Sequence, residues 1–286
     1  MSTTSPKIVA ALLALAATVQ AWAAERIEVP RSDGASTPLM VYEPAAAKTC
    51  PPLLLVSHGA GGSEQGLRYV GEALSADGWR VVVMGHRESG LPVLKQDLRS
   101  HGFKGGITAL VTDAPAYRAR FLDIDAALAW SEQRCHASFK ALLGHSMGAI
   151  TVMLEAGAHN KLGLAPKGSF DAYVALSPEG PGPVFPEGAW APIAAPTLLV
   201  TGTRDQGLGG DYRWRMQAFD GLGPGCRWLA VVDGANHMNL GGGQFAAGAQ
   251  KSTTTLVSAY LDALRSGRCG TPPALAGVSV RQKPDE

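Results

Sequence analysis

Ser146 stands in Gly144-His145-Ser146-Met147-Gly148, directly after the apolar run Ala141–Gly144 and directly before the helix-like segment Met147–Ala158. A hydroxyl is a weak nucleophile until a base takes its proton and the chain lifts it clear of its neighbours. The pattern G-x-S-x-G between a strand and a helix does the second job, because it puts the serine on a sharp, strained turn. The glycines two residues either side sit where backbone passes too close for a Cβ. A helix beginning at Met147 then aims the positive end of its dipole at charge developing nearby.

The base and its orienting acid must come from elsewhere in the chain. Asp205 ends Gly202-Thr203-Arg204-Asp205 after the apolar run Thr197–Thr201, and His237 ends Asp233-Gly234-Ala235-Asn236-His237 after Trp228–Val232. Serine, aspartate, histidine is the chain order that accompanies this turn, and all three lie just past the carboxyl ends of strands. Asp233 is a rival acid, but it lies too close in sequence to His237; Asp211 and Asp171 are weaker rivals. Of the other six histidines, His145 is read as packing and His58 as a brace for its own loop. That loop, His58-Gly59-Ala60-Gly61-Gly62, follows the run Leu53–Ser57 and offers backbone N–H donors for an oxyanion hole. Ala60 and Met147 are the expected donors, with Gly61 as the fallback.

Other chemistries are excluded by pattern. G-x-G-x-x-G fails because Glu64 occupies its sixth position, and neither G-x-x-x-x-G-K-[S/T] nor H-E-x-x-H occurs. The chain has 25 Lys+Arg against 24 Asp+Glu, and without a leader that carries Lys7 the two balance. A neutral chain with no basic run lacks the electrostatic footprint of a nucleic-acid binder. No metal and no cofactor is expected.

The elements that must position these residues are legible as short continuous apolar runs alternating with helix-like segments. The runs are Leu53–Ser57, Arg80–Met84, Ala141–Gly144, Ala172–Ser177, Thr197–Thr201 and Trp228–Val232; the segments are Gln65–Ala76, Ala114–Glu132, Met147–Ala158 and Lys251–Arg265. Continuous runs suit strands covered on both faces, and alternation with helices implies a mostly parallel sheet. Glu25–Pro30 and Pro38–Tyr42 predict a leading antiparallel hairpin. Gly85–Pro115 and Pro178–Pro196 read as irregular, with Trp190 and the first of these stretches as walls of a cleft. At 46% apolar and 17% charged, the 286 residues suffice for a packed core.

Residues 1–24 are expected to be a signal peptide: Lys7, then an apolar stretch from Ile8 to Val19, then Ala21-Trp22-Ala23 as a cleavage site. The stretch falls short of the about 20 residues needed to span a bilayer, so export to the periplasm or beyond is expected, without stable membrane insertion. In that oxidising setting Cys50, Cys135, Cys226 and Cys269 become candidate disulfides. Four cysteines allow three pairings. Placing each at the floor of the sheet favours Cys50–Cys135 and Cys226–Cys269. The catalytic domain is expected over 25–269, with a mobile tail over 270–286.

The chain resembles the α/β-hydrolases, and among them the dienelactone-hydrolase-like and bacterial secreted esterase branch. The residues that carry the likeness are His58–Gly62, the Ser146 turn, Leu176-Ser177-Pro178-Glu179-Gly180-Pro181-Gly182, Gly202–Asp205 and Asn236-His237. Dienelactone hydrolases use a cysteine where this chain has Ser146, which favours ordinary ester chemistry. The resemblance implies an α/β fold with a central sheet of about eight strands flanked by helices. The helical lid that many members insert has only Pro178–Ala195 to form it, a Pro/Gly-rich stretch without helical periodicity, so no large lid domain and an open cleft are expected. It further implies carboxylic-ester hydrolysis through an acyl-enzyme on Ser146, on small-molecule or polymeric esters. An acyltransferase using the same three residues is the alternative, and a binding protein of the same fold is a third.

Overall fold

The computed structural model describes residues 24–45, 49–244 and 246–284. The expected signal peptide, apart from Ala24, lies outside the described residues.

Nine strands form one sheet among the described residues: β1 (Glu25–Pro30), β2 (Ser36–Tyr42), β3 (Leu53–Ser57), β4 (Arg80–Met84), β5 (Lys140–His145), β6 (Ala172–Leu176), β7 (Thr197–Arg204), β8 (Arg227–Asn236) and β9 (Val278–Gln282). Their spatial order is β1-β2-β4-β3-β5-β6-β7-β8-β9, and the pairings from β4 through β8 are all parallel. Strands β3, β4 and β6 are buried at every residue, as continuous apolar runs require when both faces are covered. Alternate residues serve opposite cores. Leu55, Val82 and Leu142 pack with α3 (Ala114–Arg134) and α4 (Met147–Ala156) on one face. Leu54, Val81 and Leu143 pack with α1 (Arg68–Ala76) and α7 (Ala247–Arg265) on the other.

The hairpin at the leading edge forms as β1 and β2, antiparallel to one another. Four elements were not evident from the sequence. The stretch after β4, expected to be irregular, holds a helix, α2 (Leu91–Val111), that breaks at Gly102, where φ is 68°. Its two limbs fold against each other, and a Cβ on Gly106 would lie 2.6 Å from the backbone nitrogen of Leu98. Such limbs are too short and too glycine-rich to show helical periodicity. Helix α5 (Tyr212–Asp220) starts at Asp211, whose carboxylate accepts the Arg213 N–H at 2.9 Å as an N-cap. Helix α6 (His237–Leu240) is a single turn. Strand β9 pairs antiparallel with β8 and forms the far edge of the sheet, so residues 278–282 of the expected tail are part of the fold. Its alternation of Val278 and Val280 with polar residues is the edge-strand pattern, with one face wet.

Cys50 is bonded to Cys135 and Cys226 to Cys269, closing spans of 85 and 43 residues. No helix of the described residues is long and apolar enough to cross a membrane.

Candidate active site

Ser146 follows β5 with φ 56° and ψ −118°, a conformation that L-residues rarely adopt. The strain is held by close packing. A Cβ on Gly144 would lie 2.1 Å from the Gly148 carbonyl oxygen, and one on Gly148 would lie 2.0 Å from that of Ser57. Only glycine at both positions lets β5, α4 and β3 approach this closely.

The fold brings Ser146, His237 and Asp205 together from β5, β8 and β7. Ser146 Oγ is 3.0 Å from His237 Nε2, and His237 Nδ1 is 3.0 Å from Asp205 Oδ1. A carboxylate can only accept, so the imidazole proton sits on Nδ1 and the Nε2 lone pair faces the Ser146 hydroxyl. That is the tautomer a general base needs. Asp205 is fully buried and also accepts the Thr201 hydroxyl at 2.9 Å. Burial alone would push its carboxyl up. The hydrogen bond from His237 and the positive charge of Arg215 more than offset this, and the group stays below the ordinary aspartate value.

Arg215, on α5, is a site residue that sequence reasoning missed. Its guanidinium is buried and donates to the carbonyls of Ser177, Pro178, Asp205 and Gln206 at 2.9–3.2 Å. Its Nε lies 3.0 Å from Asp205 Oδ1, and Nη2 stands 3.1 Å from His237 Nδ1. One side chain thus ties the ends of β6 and β7 to the acid. An arginine ten residues past an aspartate in a surface-type helix gives no sequence signal of this role.

The glycine loop is braced from behind. His58 Nδ1–H donates to the Gly59 carbonyl at 2.6 Å while its Nε2 accepts the His86 N–H at 3.0 Å. Gly59 O also accepts Gly62 N–H at 3.1 Å. Fixing that carbonyl turns the Ala60 N–H to the opposite side of the trans peptide. Ala60 N–H finds no acceptor among the described residues, and Met147, as first residue of α4, has no intrahelical partner. Gly61 is not a second donor, because its N–H is bound to the Ser89 carbonyl at 2.8 Å; it lines the cleft instead. Behind the loop lies a second serine–histidine–aspartate array. Ser57 Oγ is 2.9 Å from His86 Nε2, and His86 Nδ1 is 2.8 Å from Asp123 Oδ2. All three are buried, and Arg120 links them to the loop by donating to Ser57 Oγ and to the His58 carbonyl. With no access to solvent, this array is scaffolding.

His145 does more than pack. Its Nε2–H donates to the His237 carbonyl at 3.0 Å, with the two rings 4.7 Å apart. Burial, then the neighbouring His237, pushes its pKa down to about 3, so it stays neutral. Asp233 is turned away and accepts the Thr203 hydroxyl. Trp190 does not wall the cleft. It is buried beside Phe185 in the core under α5, where a large indole finds more apolar contact than a loop surface offers. The wall that does form comes from α2, which contributes Leu94, Phe103 and Ile107. Among the described residues, no group of three His, Cys, Asp or Glu could hold a metal ion.

No family model matches the chain, and no curated protein matches it in sequence. Among solved structures, an α/β serine hydrolase homologue from Coxiella burnetii is similar, with a TM-score of 0.52 at 17% identity, over 82% of this chain and 95% of that one. At that identity the likeness speaks for architecture: the chain has the α/β-hydrolase fold.

Proposed function

We propose that the protein is an exported serine hydrolase that cleaves carboxylic esters through an acyl-enzyme on Ser146. The observation that carries this reading is the unbroken hydrogen-bonded line from Ser146 Oγ through His237 to Asp205, with both links at 3.0 Å. His237 Nε2 takes the hydroxyl proton as Oγ attacks the ester carbonyl. The resulting oxyanion is met by the N–H groups of Ala60 and Met147. His237 then returns the proton to the leaving alcohol, and the acyl group stays on Oγ. Water repeats the cycle in reverse roles and releases the acid. Asp205 holds the ring and stabilises its charged form throughout. The serine at the elbow, the order of the three residues and the glycine loop agree with the secreted-esterase branch of the superfamily. Two disulfides and the leader pattern at residues 1–24 support export.

Ser146→Ala tests the assignment with 4-nitrophenyl butyrate as substrate. Loss of a triad nucleophile lowers kcat by about 10⁶-fold in a comparable enzyme, so turnover should fall to the limit of detection. The melting temperature should not drop, because alanine keeps the backbone and removes one oxygen. Retained turnover would overturn the assignment.

A further inference from the structure

The geometry points to an uncharged ester with an extended apolar acyl group as the substrate class of this site, an inference that rests on the Ser146 reading. The cavity holding Ser146 and His237 has a volume of about 410 Å³ and is walled by Leu67, Leu94, Phe103, Ile107 and Met238. Among the described residues, no Asp, Glu, Lys or Arg side chain lines it. Among the described residues, the large apolar side chains left exposed are Leu91, Phe103 and Met238. Phe103 is 77% exposed and Met238 65%, and both line this one cavity. Apolar surface held out in water beside a cleft gains free energy when an apolar ligand covers it.

The break in α2 is what presents this surface. Left-handed Gly102 turns the chain so that Leu94 comes from the first limb and Phe103 and Ile107 from the second. Leu94 seats the pair of limbs on the glycine loop, where a Cβ on Gly61 would lie 2.4 Å from its Cδ2. The apolar wall is therefore fixed against the loop that carries Ala60, beside the carbonyl to be attacked.

Charge selects as well. Arg215, buried behind His237, does not line the cavity and is already paired with Asp205; Arg26 and Arg87 line an adjoining cavity of about 580 Å³ beyond the glycine loop. These two arginines are also paired, Arg26 with Glu64 and Arg87 with Glu28, each at 2.8 Å. An anionic acyl tail in the catalytic cavity would lose its hydration and meet no compensating charge. Carboxylate-bearing substrates are disfavoured on that ground.

The test is a kcat/KM series on the full protein with 4-nitrophenyl acetate, butyrate, octanoate and hemisuccinate, the last an anionic tail of butyrate length. Octanoate should exceed acetate by at least about tenfold, given the area a longer chain buries. Butyrate should exceed hemisuccinate by about tenfold or more. The double substitution Phe103→Ala, Met238→Ala should cut the octanoate-to-acetate ratio about tenfold, and since both side chains are exposed the melting temperature should hold. An octanoate-to-acetate ratio at or below one, a ratio unmoved by the double substitution, or hemisuccinate matching butyrate would each overturn the inference while leaving Ser146 as nucleophile. Absence of turnover on every ester would take the nucleophile assignment down first and this inference with it.

Discussion

At the scale of single residues, the site depends on groups that do not line its cavity. Arg215 fills the space between the ends of β6 and β7 with donors directed at four carbonyls and one carboxylate. A lysine carries the charge but not the planar fork, and cannot serve acceptors spread around that plane. Arg215→Lys should therefore lower kcat with little change in KM, a split that general loosening of the fold would not produce. Asp205→Asn removes the tautomer control directly and should cost about 10⁴-fold in kcat. Glu179, half-buried at the exit of β6, supplies a pH signature. Burial raises its pKa to about 7, assisted by the charge of Asp205 and opposed by that of Arg215. A carboxyl whose folded value lies above its unfolded one contributes stability at low pH that is lost as pH rises through about 7. Glu179→Gln should accordingly raise the melting temperature at pH 8 relative to the parent protein, and leave it nearly unchanged at pH 4.5. Equal effects at both pH values would contradict the placement of that carboxyl.

Elements determine which of these residues meet. The turn between β5 and α4 works only while Gly144 and Gly148 stay small, since the contacts a Cβ would make there are with backbone that cannot step aside. Gly148→Ala should destabilise the protein by about 1–3 kcal/mol, the usual cost of overpacking, and abolish activity as Ser146 shifts. A stable, active variant would show that the turn tolerates a different path. This turn was legible in the sequence because its chemistry and its sterics coincide in five adjacent residues. The strands β3 to β8 were legible because burial on both faces demands unbroken apolar runs. The remaining features left no such pattern, each for its own reason. The α2 limbs face partly to solvent and meet through Gly106, so no apolar stripe repeats along them. Strand β9 has only Val278 and Val280 to mark it. Arg215 was invisible because its role is set by carbonyls, which every residue carries. Trp190 was misplaced because a Pro/Gly-rich neighbourhood suggests surface, whereas here the chain folds the indole inward against Phe185.

At the scale of the whole molecule, one sheet lies between two layers of helices, with the Ser146 site and the disulfide-bonded floor at opposite ends of the parallel strands. Cys50–Cys135 ties the entry of β3 to the end of α3, and Cys226–Cys269 ties the entry of β8 to the end of α7. Cross-links closing spans of 85 and 43 residues restrict the unfolded chain, and each contributes about 2–4 kcal/mol. Reduction with dithiothreitol should lower the melting temperature markedly while residual folded protein keeps its turnover per site, because neither bond approaches Ser146. A melting temperature indifferent to reductant would argue against both bonds in the purified protein. In the proposed mechanism one hydroxyl, made nucleophilic by an imidazole 91 residues further along the chain, carries the chemistry. Its most direct measurement is fluorophosphonate labelling of the intact protein followed by peptide mass mapping. A single adduct on Ser146 is expected, absent in Ser146→Ala and strongly slowed in His237→Ala; no adduct, or an adduct on another residue, would contradict the proposed mechanism.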